Sequence, residues 1–172
     1  MEFMRYSFLF LVIAGCTSIG FLLSRIFSDR LEDLKNLHTF LNILQNKIKF
    51  THLPLNEIFE QIGEMNTKTK IKSIFLKCSK KLKDMNMEKA WAESIEEEMF
   101  FLNLNNEDID TLISLGHTLG KSDIEGQISE IEEFKERLNV QIREAELQNN
   151  KNSKLYKSLG TIVGLVIVIL LF

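Results

Sequence analysis

Four residue sets in this chain are chemical enough to ask about. The first is Cys16, preceded by Ile13, Ala14 and Gly15 and by a basic residue at Arg5. A small-apolar triplet before a cysteine is the pattern at which bacterial lipoproteins are cut and acylated. The second is the other cysteine, Cys78, which stands alone on an apolar helical stripe. Without a base beside it, that placement describes a small buried hydrophobe and not a nucleophile. The third is the histidine set, His38, His52 and His117, scattered over different helices and turns with no H-E-x-x-H and no cysteine partner, so the spacing suits no zinc site. The fourth is charge. Lys68, Lys70, Lys72, Lys77, Lys80, Lys81 and Lys83 follow one another with no acid between, whereas residues 84–146 hold seventeen acids against five bases.

These sets predict no catalysis, no metal and no cofactor. Gly-rich phosphate loops are absent. The acid-rich runs "SIEEEMF" and "EIEEFKE" read as water-facing sides of helices. The lysine run has two readings: a solvated face partly paired to the acids, or a basic face for anionic lipid or an acidic partner. Nucleic acid is not expected, because only Phe75 interrupts the lysines and it belongs to the apolar stripe, leaving no stacking platform.

The elements that would hold these residues are helices. Of the 172 residues 26% are charged and 45% hydrophobic, with a single proline and eight glycines, and the net charge is −3. That balance is globular and short of helix breakers, and no run alternates as a strand does. Both ends are membrane-like. Residues 6–24 carry no charge and as a helix would span roughly 28 Å; residues 158–172 are also uncharged and would span roughly 22 Å, enough if Tyr156 and Lys157 lie at the interface. Arg25, Arg30 and Lys35 follow the first stretch, and Lys151, Lys154 and Lys157 precede the second. By the positive-inside rule the middle of the chain lies in the cytoplasm and both termini lie outside.

Cys16 therefore has two readings. Either it is a lipid anchor and the remainder is extracytoplasmic, or it is a small residue in a membrane helix that also carries Ala14, Gly15, Ser18 and Gly20. The sequence after it, "TSIGFLLSRIF", stays apolar where a polar tether would follow a lipidated cysteine, which favours the helix. Small residues admit a close neighbour, and Gly160-x-x-x-Gly164 in the second stretch is the candidate packing face.

Between the ends the apolar spacing predicts six helical segments forming an antiparallel bundle. Leu34, Leu37, Leu41, Leu44 and Ile48 mark the first, running out of the membrane stretch. Leu55, Ile58, Phe59, Ile62 and Met65 mark the second, with Pro54 in its first turn. Ile71, Ile74, Phe75, Cys78, Leu82 and Met85 mark the third. Met87, Trp91, Ile95, Met99 and Leu102 mark the fourth. Ile109, Leu112, Ile113 and Leu119 mark the fifth, capped by Asn106, with Gly120 as its stop. Ile124, Ile128, Ile131, Phe134, Leu138, Ile142 and Ala145 mark the sixth, capped by Ser122 or Asp123. The division expected is an all-α protein with a membrane helix at 1–27, a helical bundle at 28–153 and a membrane helix at 154–172.

Four stretches together, "THLPLNEIFEQI" (51–62), "AWAESIEE" (90–97), "LISLGHTLGKSD" (112–123) and "KSLGTIVGLVIVILL" (157–171), resemble the stage III sporulation protein AB family of endospore-forming bacteria. That family in turn is similar to the cytoplasmic helical domain of the platform proteins of type II secretion and type IV pilus machines. Those platforms show a Gly-Glu pair followed by a Gly; here Gly116 and Gly120 match the glycines and His117 replaces the acid. The resemblance implies a non-enzymatic platform subunit in the mother-cell membrane around the forespore. It also implies a secretion-like channel whose other stage III subunits, including a secretion-type ATPase, are partners. A homo-oligomer stays open. The candidate contact residues are Lys70, Lys77, Lys80 and Lys81 on the lysine-rich segment and Gly116, His117 and Gly120 at the turn.

Overall fold

The computed structural model describes residues 2–51 and 53–171. Six α-helices follow in order: α1 (Glu2–Thr51), α2 (Leu55–Gly63), α3 (Ile71–Lys81), α4 (Met87–Glu98), α5 (Asn106–Leu115) and α6 (Ile124–Leu171), with a single 3-10 turn at Met99–Phe101 between α4 and α5. Among the described residues there is no strand. The chain divides into two compact units, one of Met1–Leu31 with Glu144–Phe172, the other of Glu32–Arg143. α1 and α6 each contribute one stretch to each unit.

The Glu32–Arg143 unit is the bundle. Its core takes one stripe from every helix: Leu34, Leu37, Leu41 and Leu44 from α1; Ile58, Phe59 and Ile62 from α2; Ile71, Ile74, Phe75 and Cys78 from α3; Trp91 and Ile95 from α4; Leu112 and Leu115 from α5; Ile131, Phe134 and Leu138 from α6. An aromatic cluster ties four of these helices. Phe75 lies 5.3 Å from Phe59 and 5.4 Å from Trp91, ring centre to ring centre, while Phe40 of α1 stacks on Phe75 at 5.7 Å. Edge-on and offset geometries at this range are the favourable ones. Across the α1–α6 pair, Lys135 donates to Gln45 Oε1 at 2.9 Å and Gln45 donates to Glu132 at 2.8 Å.

Several boundaries differ from the sequence expectation. Pro54 is the residue before α2, not within its first turn; its φ of −64° and extended ψ of 150° let the chain enter the helix without a donor to lose. Asn105, not Asn106, caps α5. Its side chain accepts from the Asp108 amide and Asp108 accepts from the Asn105 amide, a reciprocal box one residue earlier than expected. Asp123 caps α6 by accepting from the Gly126 amide at 2.9 Å. α3 ends at Lys81, so Met85 lies beyond the helix, and Ile124 at the start of α6 is 39% exposed.

The other unit pairs the two ends of the chain. α1 and α6 each contain a stretch long and apolar enough to cross a membrane, with few of its side chains buried inside the protein. Core helices of soluble bundles hide such stretches; these are left facing outward.

Candidate functional site

The turn after α5 is the most built-up exposed feature of the bundle. Leu115 is the last residue of α5, and the chain then winds through non-helical turns to Asp123. Two glycines make this path possible. A Cβ on Gly116 would sit 2.7 Å from Trp91 Cδ1, so the turn lies directly on the indole, whose Nε1 donates to Leu112 O at 2.8 Å. Gly120 has φ of +78°, a left-handed conformation that side chains resist. His117 projects between them. Its Nδ1 lies 2.9 Å from Glu88 Oε1, and Lys121 Nζ lies 2.9 Å from Glu88 Oε2. Lys121 first, then His117, holds the Glu88 carboxyl below the usual carboxylate range. Beside them a cleft of about 280 Å³ is lined by Asn86, Glu88, Lys89, Ala92, Ile113 and His117. Asn86 caps α4 by accepting from the Lys89 amide, which fixes one wall.

The lysine segment follows the first of its two sequence readings, a face partly paired to the acids. Lys77 bonds Glu97 at 3.0 Å and Glu98 at 2.8 Å, while Lys81 bonds Glu93 at 3.0 Å and Glu97 at 2.8 Å. These carboxylates raise both lysine pKa values. α3 and α4 are antiparallel neighbours, and the separation of basic and acidic blocks in sequence becomes pairing in space. Lys70 donates to Phe101 O at 2.9 Å. Of the four candidate lysines, Lys77 and Lys81 are paired to the acids of α4 and Lys70 is tied to a carbonyl, while Lys80 is exposed and makes no ion pair among the described residues, so the structure does not gather Lys70, Lys77, Lys80 and Lys81 into one open basic face.

Cys78 is fully buried, and burial pushes its thiol up to about 12, a protonated and inert group. His38 pairs with Asn42 one turn along α1. His52 lies outside the described residues. Among the described residues no three His, Cys, Asp or Glu side chains converge as a metal-holding group.

The glycines of the end unit meet each other. A Cβ on Gly160 would lie 2.8 Å from Cys16 O and 3.0 Å from Gly20 Cα; one on Gly164 would lie 3.3 Å from Cys16 Cβ. The neighbour of Gly160-x-x-x-Gly164 is thus α1 of the same chain. Below this crossing Phe27 stacks on Tyr156 at 5.7 Å, Arg30 donates to Gln148 at 2.9 Å and Ser28 donates to Asn149 at 3.0 Å. The sequence singles out Gly20 among the small residues of α1 and Gly160 and Gly164 as the packing face of α6, but gives no sign that the two sets meet.

Comparison with known proteins agrees with this architecture. The chain is 30% identical over 162 residues to stage III sporulation protein AB of Bacillus subtilis (strain 168), covering 93% of this chain and 94% of that protein. A solved structure of stage III sporulation protein AB superposes with a TM-score of 0.64, at 24% identity, over 70% of this chain and 96% of the other; it carries the fold. The Stage III sporulation protein AB family matches residues 5–172, and with that coverage the chain belongs to this family of sporulation proteins.

Proposed function

We propose that this chain is a non-enzymatic platform subunit of the sporulation channel, a membrane hairpin whose bundle stands in the mother-cell cytoplasm at the membrane around the forespore. There it would couple a secretion-type ATPase to the other stage III membrane subunits. The observation that carries the reading is that both helices with bilayer-length apolar stretches, α1 and α6, continue as core helices of one bundle. A bundle entered and left through two membrane helices is suited to holding partners at a membrane. The basic residues Arg25, Arg30, Lys35, Lys151, Lys154 and Lys157 at the inner ends of the two stretches favour the cytoplasmic side.

Family membership supplies the sporulation setting. The exposed turn with His117, Lys121 and Glu88 is the surface assigned to the ATPase, and Lys80 is an exposed position on the lysine segment that makes no ion pair among the described residues. Gly116 and Gly120 shape this surface. The full chain in detergent micelles, titrated with the secretion-type ATPase, tests the proposal. Replacing His117 and Lys121 together by Ala is expected to weaken binding about tenfold, the loss typical of a central interface pair. Unchanged affinity would remove the turn as the contact. The reading also requires residues 1–15 to be retained; an intact mass lacking them, with lipid added at Cys16, would replace the platform by an extracytoplasmic lipoprotein.

A further inference from the structure

Two consecutive phenylalanines, Phe100 and Phe101, are 86% and 60% exposed in the 3-10 turn after α4. One exposed aromatic is ordinary; two adjacent ones on a fixed turn mark a surface that something covers. This turn is fixed. The Asn103 amide and its Nδ2 both donate to Asp33 Oδ2, at 2.8 and 3.0 Å, and Asp33 is buried. Leu102 is buried beside them, and Lys70 clamps the Phe101 carbonyl. The aromatic pair is therefore held outward by bonds that would be unnecessary if it merely frayed.

We propose that Phe100 and Phe101, with Lys70 bonded to the Phe101 carbonyl and the exposed Lys68 two residues before Lys70, form a contact that rests on the lipid bilayer surface. This inference depends on the reading that residues 6–24 cross the membrane. Asp33, the anchor of the turn, is only nine residues beyond Ser24. In helix that is about 14 Å, and even fully extended about 30 Å, so the turn is tethered close to the headgroup layer. Apolar rings beside ammonium groups are the composition that settles at this boundary: rings enter the headgroup–acyl region, and lysines meet anionic phosphates. Lys68 is exposed and makes no ion pair among the described residues. The last acid of α4, Glu98, is already engaged by Lys77 at 2.8 Å.

The test uses the full chain with Cys16→Ser and Phe100→Cys, carrying a nitroxide at position 100, in vesicles of phosphatidylethanolamine and phosphatidylglycerol. Reference nitroxides sit at Ile162→Cys in the apolar stretch of α6 and at Lys121→Cys on the opposite turn. Collision with oxygen and with a water-soluble nickel chelate reports depth. The expected result is a position-100 label shielded several-fold from nickel and open to oxygen, between the two references. Lys68→Gln with Lys70→Gln should return it toward the value in phosphatidylcholine. A position-100 label as open to nickel as position 121, with position 162 buried in lipid, would overturn the contact and leave the membrane hairpin standing. Position 162 open to nickel would overturn both. Shielding from both probes that grows with protein concentration would overturn the lipid contact in favour of a second copy of the chain.

Discussion

At the residue scale, Gly116 makes the sharpest demand. Its missing Cβ is the space in which Trp91 lies, and Trp91 in turn orders Phe59 and Phe75. Gly116→Ala should cost about 1–3 kcal/mol, as overpacking against a fixed aromatic does, read as a lower denaturation midpoint of the full chain in detergent. Gly15→Ala is the control, since a Cβ there would meet nothing within 4 Å; it should be neutral or stabilising. Equal behaviour of the two variants would contradict the close approach. His117 is a different case. It lies beside Glu88 and not in the core, so its replacement should leave stability nearly unchanged while altering partner binding.

At the scale of elements, the α3–α4 pair and the α1–α6 crossing each make a prediction. Lys81 first, then Lys77, holds the Glu97 carboxyl below its ordinary range. A carboxylate with a depressed folded pKa stabilises above its unfolded value, about 4.3, and that contribution is lost as pH falls through the folded value. The lysines, raised by the same contacts, lose theirs only as pH rises past their own. The thermal midpoint of the chain should therefore exceed that of Lys77→Met with Lys81→Met at about pH 7, and the gap should narrow in high salt and as pH falls from the unfolded carboxylate value through the lower folded value of Glu97. A gap independent of pH would show that the lysines act by packing alone. At the crossing, a Cβ at position 164 would be 3.3 Å from Cys16 Cβ, close to disulfide range. Gly164→Cys should form an intramolecular disulfide under mild oxidation, visible as a monomer of altered gel mobility. Crosslinked dimers without it would assign the glycine face to a second chain.

Element existence and the buried stripes were legible in sequence because apolar residues at three- and four-residue spacing have one packed solution in a bundle. Leu34 to Ile48 and Ile131 to Leu138 are buried as their spacing requires. What was not legible is pairwise. The lysine block carries no sign of where the acids of α4 will lie, and Gly160 carries none of meeting Gly20. The α5 cap shifted by one residue because Asn105 and Asn106 are equally good caps locally, and only the reciprocal bond with Asp108 decides between them.

At the scale of the whole molecule, the account stands on the side of the membrane that holds the bundle. α1 and α6 carry bilayer-length apolar stretches towards the two ends of the chain, and the basic flanks favour the cytoplasm. The direct measurement is labelling of the full chain with Cys16→Ser and Asn66→Cys in intact cells, using a membrane-impermeant maleimide. Cys78 can stay, because it is buried and its thiol is held protonated. Asn66 is exposed between α2 and α3. The account predicts protection in intact cells and full labelling after permeabilisation. Labelling in intact cells would put the bundle outside, return Cys16 to the role of lipid anchor, and contradict a cytoplasmic platform.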